Sequence, residues 1–146
     1  MDVICHRTFF DEELKRLQKT RQLPLSIVLG DVNGLKRVND TIGHNKGDLL
    51  LKRIARILKQ CFRSEDIISR IGGNEFCIIL PSTSRENVES IIERVLVLCK
   101  RKSTKNIPLS ISFGIATMKK NTDKIKNVFR TAENMMYSFK RQGKGK

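Results

Sequence analysis

Two clusters of residues have the types and the spacing to do chemistry. The first is GDVNGLKRVND, residues 30–40, in which Asp31 falls near the end of the apolar run LSIVLGDVN (25–33). The second is RIGGNEF, residues 70–76, set between the apolar runs DII and FCIIL. An acid at a strand end, beside an acid or amide in a neighbouring hairpin turn, can hold a divalent cation, because magnesium takes one or two carboxylates together with phosphate oxygens. Asp31 is the first ligand such a site would use. Just beyond it, Gly34 and Leu35 open a helix whose free N–H groups could receive phosphate oxygens, with Lys36 adding charge. Gly72 and Gly73 can take positive φ in a tight turn and, lacking side chains, let a ligand approach the backbone. Spacing alone leaves two readings open: a metal and phosphate site, or a plain structural turn next to an ordinary acid-ended strand.

These clusters need elements to position them. TFFDEELKRLQKT (8–20) sets Phe10, Leu14 and Leu17 on one helical face, and Pro24 ends that helix. Residues 25–33 read as a buried strand delivering Asp31 at its carboxyl end. A short helical piece over 35–41 is followed by Gly43 and Gly47 as punctuation, then by a long helix with Leu50, Ile54, Leu58 and Cys61 on one stripe. DIISRI and FCIIL predict a hairpin whose turn carries GGNE. TSRE (83–86) resembles a capping box opening a helix through Val88, Ile91, Val95 and Cys99. IPLSISFGIATM alternates over Leu109, Ile111 and Phe113 as a further strand. The last helix is marked by Ile125, Val128, Ala132, Met135 and Phe139, and residues 141–146 are expected to fray. Strands linked through helices and one central hairpin suit an α+β sandwich with one mixed or antiparallel sheet, as in ferredoxin-like folds.

A chain of 146 residues, 39% of them hydrophobic, can bury one core, so a single domain over 1–146 is expected. No apolar run approaches the roughly 18 residues of a membrane helix, and the start lacks the apolar block of a secretory signal. A cytoplasmic location with no membrane partner is therefore expected. Cys5, Cys61, Cys77 and Cys99 stand apart with no CxxC pair, and His6 and His44 are isolated, which argues for reduced, mostly buried thiols rather than a zinc site. The formal charge of +14 favours an anionic partner: nucleotide, nucleic acid or acidic protein surface. Tyr137 is the one tyrosine and tryptophan is absent, so stacking platforms for single strands are scarce and nucleic acid is not expected.

DVNGLKRVNDTIGHNKGDLLL (31–51), RIGGNEF, SISFGIATM (110–118) and AENMMYSFKRQGKGK (132–146), in that order and separation, closely resemble the GGDEF family, the catalytic domain of diguanylate cyclases. The likeness runs from about Ile4 to Lys144. It implies a palm-like, nucleotidyl cyclase type of α+β sandwich, with a mostly antiparallel central sheet flanked by helices. It also implies binding of GTP with Mg²⁺ (or Mn²⁺), and condensation of two GTP into cyclic di-GMP and two pyrophosphates by a homodimer holding one GTP in each protomer. By the same resemblance Asp31 would bind the metal through its carboxylate, Val32 through its carbonyl, and Asn74 from the signature turn. Gly34, Leu35 and Lys36 would hold the β and γ phosphates. Gly73 would admit the nucleotide, and Glu75 would stand beside the reacting groups. Asn39 and Asp48 match the guanine-recognising pair; a carboxylate accepts from the N1 and N2 edge of guanine, which favours GTP over ATP. Leu51 would pack against the base, and Lys140 and Lys144 would neutralise the outer phosphates. RSED (63–66) matches the RxxD spacing at which many such cyclases bind their own product, with Arg63 and Asp66 as its contacts. A sensor or receiver domain of a longer parent protein is a further implied partner.

The main departure is Asn74, where the family carries Asp or Glu. An amide offers Mg²⁺ a neutral oxygen but cannot accept the proton of an attacking 3′-hydroxyl, and lost acid–base assistance costs roughly 10²- to 10⁴-fold in rate. The sequence therefore predicts a weak cyclase or, as the alternative, an inactive module that binds GTP or cyclic di-GMP. Glu75 is expected to diverge from Asn74, since neighbouring side chains alternate in a strand.

Overall fold

A computed structural model describes residues 7–144, with residues 7–10, 44 and 142–144 described by backbone alone. In chain order the elements are α1 (Arg7–Leu17), β1 (Leu25–Val32), α2 (Leu35–Ile42), α3 (His44–Cys61), β2 (Ile67–Arg70), β3 (Glu75–Leu80), α4 (Arg85–Lys102), β4 (Ile111–Met118) and α5 (Ile125–Lys144). The four strands form one sheet in the order β2-β3-β1-β4. Every pairing is antiparallel, with β1 between β3 and β4.

All eight residues of β1 are buried, because both of its faces are covered. On one face Val28 and Val32, with Phe76, Ile78 and Leu80 of β3, pack against α3 and α4 through Leu50, Ile54, Leu58, Val88, Ile91, Val95 and Cys99. On the other, Leu25, Ile27 and Leu29 join Cys77, Ile79, Ala116 and Met118 beneath Leu17 of α1 and Ile125, Val128, Ala132 and Met136 of α5. A fully buried aliphatic side chain contributes roughly 1.5–3 kcal/mol, so this double layer fixes the position of β1 and of the acid near its end.

Local departures from the sequence expectations have physical causes. Gly47 lies inside α3, which begins at His44, and the break between α2 and α3 rests on Gly43 alone, at φ 123°. The cap of α4 is Ser84, whose Oγ accepts from Asn87 N–H at 3.3 Å, because Thr83 Oγ1 is engaged by Arg63 and by the Pro81 carbonyl. In α5 the buried stripe continues from Ala132 to Met136, leaving Phe139 55% exposed and bringing Lys140 to the sheet. That helix runs through Lys144. Among the described residues no helix is long and apolar enough to cross a membrane.

Candidate active site

The register near the end of β1 sets Asp31 opposite Glu75 of β3 and Ser112 of β4. Directly paired residues share a face, so Asp31 and Glu75 both emerge on the side covered by α5. Asp31 is only 3% exposed, and a carboxylate so far from water requires partners. Its Oδ1 accepts from Nδ2 of Asn74 at 2.6 Å, and its Oδ2 pairs with Nζ of Lys140 at 2.9 Å. The same Asn74 nitrogen donates to the Val32 carbonyl at 3.3 Å. Turned the other way, the amide would face a carboxylate and a carbonyl with its own oxygen, so the inward nitrogen is the orientation this network permits.

Lys140 reaches Asp31 because it continues the stripe Val128, Ala132, Met136 at a spacing of four, on the face of α5 that meets the sheet. Tyr137, three residues earlier, sets its hydroxyl near Glu75. The negative charge of Glu75, then burial, then Glu133 and Asp31, hold that hydroxyl above its ordinary pKa. Two clefts flank Asp31. One, of about 540 Å³, brings together Val32, Gly34, Leu35, Lys36, Asn74 and Lys140. The other, of about 630 Å³, is lined by Asp31, Asn134, Tyr137, Lys140 and Arg141.

Gly34 caps α2 in a left-handed conformation, φ 78°, which an L side chain would resist. No side chain caps this helix end, and Val38 N–H returns to Gly34 O at 3.0 Å. The earlier N–H groups of the helix have no acceptor within it and face outward, as at any helix start. Gly72 and Gly73 do not use positive φ. Their carbonyls instead accept from the Arg70 guanidinium at 3.2 and 2.6 Å, and a Cβ at Gly73 would meet nothing within 4 Å. Gly73 thus leaves open space at the turn, a Cβ at Gly72 would touch the Glu75 side chain at 3.5 Å, and neither glycine supplies a left-handed bend. The register of Glu75 places it on the face of Asp31, and Asn74 reaches Asp31 from the turn.

Asn39 and Asp48 sit beyond the 540 Å³ cleft, on α2 and α3. Asp48 is exposed. Oδ1 of Asn39 is buried with no hydrogen-bond partner, and a Cβ at Gly47 would overlap it. Leu51 is 5% exposed and belongs to the core beneath α3 and α4. The side chain of Lys144 lies outside the described residues. Arg63 and Asp66 are turned toward each other. The Asp66 carboxylate accepts from Arg63 N–H at 2.8 Å and from its guanidinium at 3.0 Å, and the guanidinium also donates to Pro81 O at 3.0 Å and Thr83 Oγ1 at 2.6 Å. The Asp66 side chain has no exposed surface, while that of Arg63 is 42% exposed.

A divalent cation is what the resemblance asks of Asp31, Val32 and Asn74. As arranged they do not fit one: the two oxygens that would face it both accept from the Asn74 nitrogen, and the second Asp31 oxygen is held by an ammonium. Among the described residues no three Asp, Glu, His or Cys side chains converge into a metal-binding cluster.

The family profile described as "Diguanylate cyclase, GGDEF domain" matches residues 3–146. The chain belongs to the GGDEF family. It is 32% identical over 126 residues to Diguanylate cyclase A of Treponema denticola, covering 84% of this chain and 34% of that one. To the Probable diguanylate cyclase DgcT of Escherichia coli it is 29% identical over 144 residues, 94% of this chain and 32% of the other. The chain thus spans about a third of the length of these curated relatives. Its fold matches the GGDEF domain of DgcB from Caulobacter crescentus, a structure in complex with c-di-GMP, with a TM-score of 0.85 at 24% identity over 96% of this chain and 87% of that one. The α+β, palm-like sandwich with its antiparallel sheet is therefore that of GGDEF domains. In this GGDEF domain the signature reads Gly72, Gly73, Asn74, Glu75, Phe76. Tyr137, Arg141, Arg70 and Gly47 join the site's surroundings without having been singled out from sequence as parts of it. The signal for the first two was their place on the face of α5 that carries Lys140.

Proposed function

We propose that this domain binds a guanine nucleotide and that its condensation of two GTP into cyclic di-GMP is strongly slowed by Asn74. The observation that carries the reading is the pair of hydrogen bonds from Nδ2 of Asn74 to Asp31 and to the Val32 carbonyl. Condensation joins the 3′-oxygen of one GTP to the α-phosphorus of the other and releases pyrophosphate, and the hydroxyl proton must be taken up. An amide turned nitrogen-inward donates to Asp31 and cannot take that proton, a loss of roughly 10²- to 10⁴-fold. A divalent cation, where bound, would supply charge stabilisation at the phosphates.

Nucleotide binding is supported separately. Lys36 stands at the uncapped start of α2, with Gly34 opening it, which suits β and γ phosphates. Exposed Asp48 suits a ligand edge rich in N–H donors, as guanine is, and the partnerless Asn39 Oδ1, buried against Gly47, would have to turn outward to join it. Lys140 adds positive charge between the clefts. The reading requires a homodimer for turnover, and the cytoplasm as the place where GTP is met. Product binding at RxxD falls chiefly to Arg63, because Asp66 is spent on the loop itself.

A second reading, a nucleotide-binding regulatory module without turnover, is favoured by the engagement of both Asp31 oxygens. One experiment separates the two. Wild-type protein and Asn74→Asp are incubated with GTP and Mg²⁺ or Mn²⁺, and cyclic di-GMP is followed by chromatography. We expect slow product formation by the wild type and a rise of about 100-fold in Asn74→Asp. Binding of GTP by calorimetry with no wild-type product leaves the second reading. An Asn74→Asp protein no faster than wild type removes Asn74 as the cause, and absence of both GTP and cyclic di-GMP binding ends both readings.

A further inference from the structure

Asp31 carries one negative charge in a nearly dry position, and its two oxygens are satisfied by different side chains. Lys140 supplies the compensating positive charge. Asn74 supplies a neutral donor, and that donor bridges Oδ1 of Asp31 and the carbonyl of Val32, at 2.6 and 3.3 Å. A site built for a divalent cation balances its charge with two carboxylates. Here the second carboxylate is an amide and Asp31 is paired with an ammonium, so the Asp31–Lys140 pair is neutral without a cation, while Glu75 remains a negative neighbour on the same face. A cation entering between Asp31 and Val32 would have to expel the amide nitrogen, turn the amide over, and compete with Lys140 for the same carboxylate.

We propose that the Asn74 amide together with Lys140 takes the place of the divalent cation, making this a site for a metal-free guanosine polyphosphate. The adjoining cleft has the charge for such a ligand. Lys36 and Arg37 line it against a single acid, Asp40, with Lys140 already paired to Asp31, so the phosphates meet a small net positive charge without a bridging ion. The N–H groups opening α2 add donors that are indifferent to metal. In this arrangement Asn74 is a positioning residue: it holds Asp31 in a form that retains Lys140 at the mouth of the cleft.

This inference rests on the nucleotide-binding reading, and its test is chosen so that the two can fail separately. The full chain is titrated with GTP by calorimetry in excess EDTA and again in excess Mg²⁺, and separately with Mn²⁺ alone, followed by electron paramagnetic resonance. Asn74→Asp is carried in parallel, with circular dichroism to confirm folding. The inference expects wild-type GTP affinity to agree within about threefold with and without metal, and no uptake of Mn²⁺ by the wild type. It expects Asn74→Asp to take up Mn²⁺ and to bind GTP at least about tenfold more tightly with Mg²⁺ than in EDTA. Wild-type GTP binding that strengthens tenfold or more with Mg²⁺, or Mn²⁺ uptake by the wild type equal to that of the variant, overturns it. Should GTP bind under neither condition, the nucleotide reading fails, and the Mn²⁺ titration of the wild type still decides whether the amide has displaced the cation. Should Asn74→Asp not fold, the GTP and Mn²⁺ titrations of the wild type are sufficient to decide.

Discussion

A methyl group added at Gly47 would overlap Oδ1 of Asn39 and stand 2.6 Å from its Cγ and 3.0 Å from its Nδ2. Nothing in the backbone asks for glycine there, since Gly47 lies within α3 and does not take positive φ. Helix propensity favours alanine by up to about 1 kcal/mol, so the space for the Asn39 amide is what glycine provides. Gly47→Ala should therefore leave Tm within a few degrees of wild type while weakening GTP by about tenfold, the scale of one misplaced hydrogen-bonding group. Calorimetry beside thermal unfolding checks this, and an unchanged GTP affinity would show that Asn39 takes no part in recognition. From sequence, Gly47 reads as punctuation between helices, because glycine is poor inside them. The contact that explains it joins α2 to α3, and no local pattern displays it. Asn74 is the opposite case. Its chemical consequence, the missing proton acceptor, is legible from the residue type, whereas the inward nitrogen depends on where Val32 O and Asp31 come to lie.

At the scale of elements, the site is assembled by α5 lying on β4. The two meet at Gly114, where a Cβ would overlap the carbonyl oxygen of Ala132 and stand 2.6 Å from the backbone nitrogen of Met136. These obstacles are helix backbone, so no side-chain rotation relieves them. Gly114→Ala must push α5 away from the sheet and, with it, Lys140 from Asp31 and Tyr137 from Glu75. A cost of about 3 kcal/mol is expected, lowering Tm by roughly 10 °C. Urea and thermal unfolding measure it, and a Tm within a degree or two of wild type would contradict the close approach. The apolar stripe of α5 was legible through Ala132. Beyond it, Met135 and Phe139 suggest one face and Met136 and Lys140 another. The structure uses the second, because burying Met136 also brings a cation to a carboxylate that otherwise meets the neutral Asn74 amide. A hydrophobic count has no means of seeing that gain. The hairpin shows the same division: its existence follows from two apolar runs around GGNE, while the absence of left-handed glycine follows from Arg70 binding the turn carbonyls, a contact outside any turn preference.

For the whole molecule, the question is whether the two layers on either side of the sheet behave as one unit, as a chain of this length suggests. Cysteines report on both. Cys61 and Cys99 lie in the layer of α3 and α4, and Cys77 lies beneath α1 and α5. Burial, with a smaller contribution from Cys61, pushes the Cys99 thiol up to about 11, and burial holds Cys77 well above its ordinary value. Since the thiolate is the reacting species, only about one Cys99 in a thousand is reactive at pH 8 in the folded state. Reactivity should rise as pH is raised toward 11. Unfolding removes the desolvation and returns each thiol to the ordinary range, so alkylation in a urea series reads the opening of each layer. Both layers pack on β1 and β3, and β1 has no face free of them, so losing either layer strips the strands that hold the other. The expected outcome is that iodoacetamide labelling of Cys61, Cys77 and Cys99, followed by peptide mass spectrometry, gives coincident midpoints that match the loss of circular dichroism. An earlier midpoint for Cys77 alone would mean that α1 and α5 detach first. The clefts around Asp31, which depend on α5, would then open in a partly folded state while the α3 and α4 layer stayed intact.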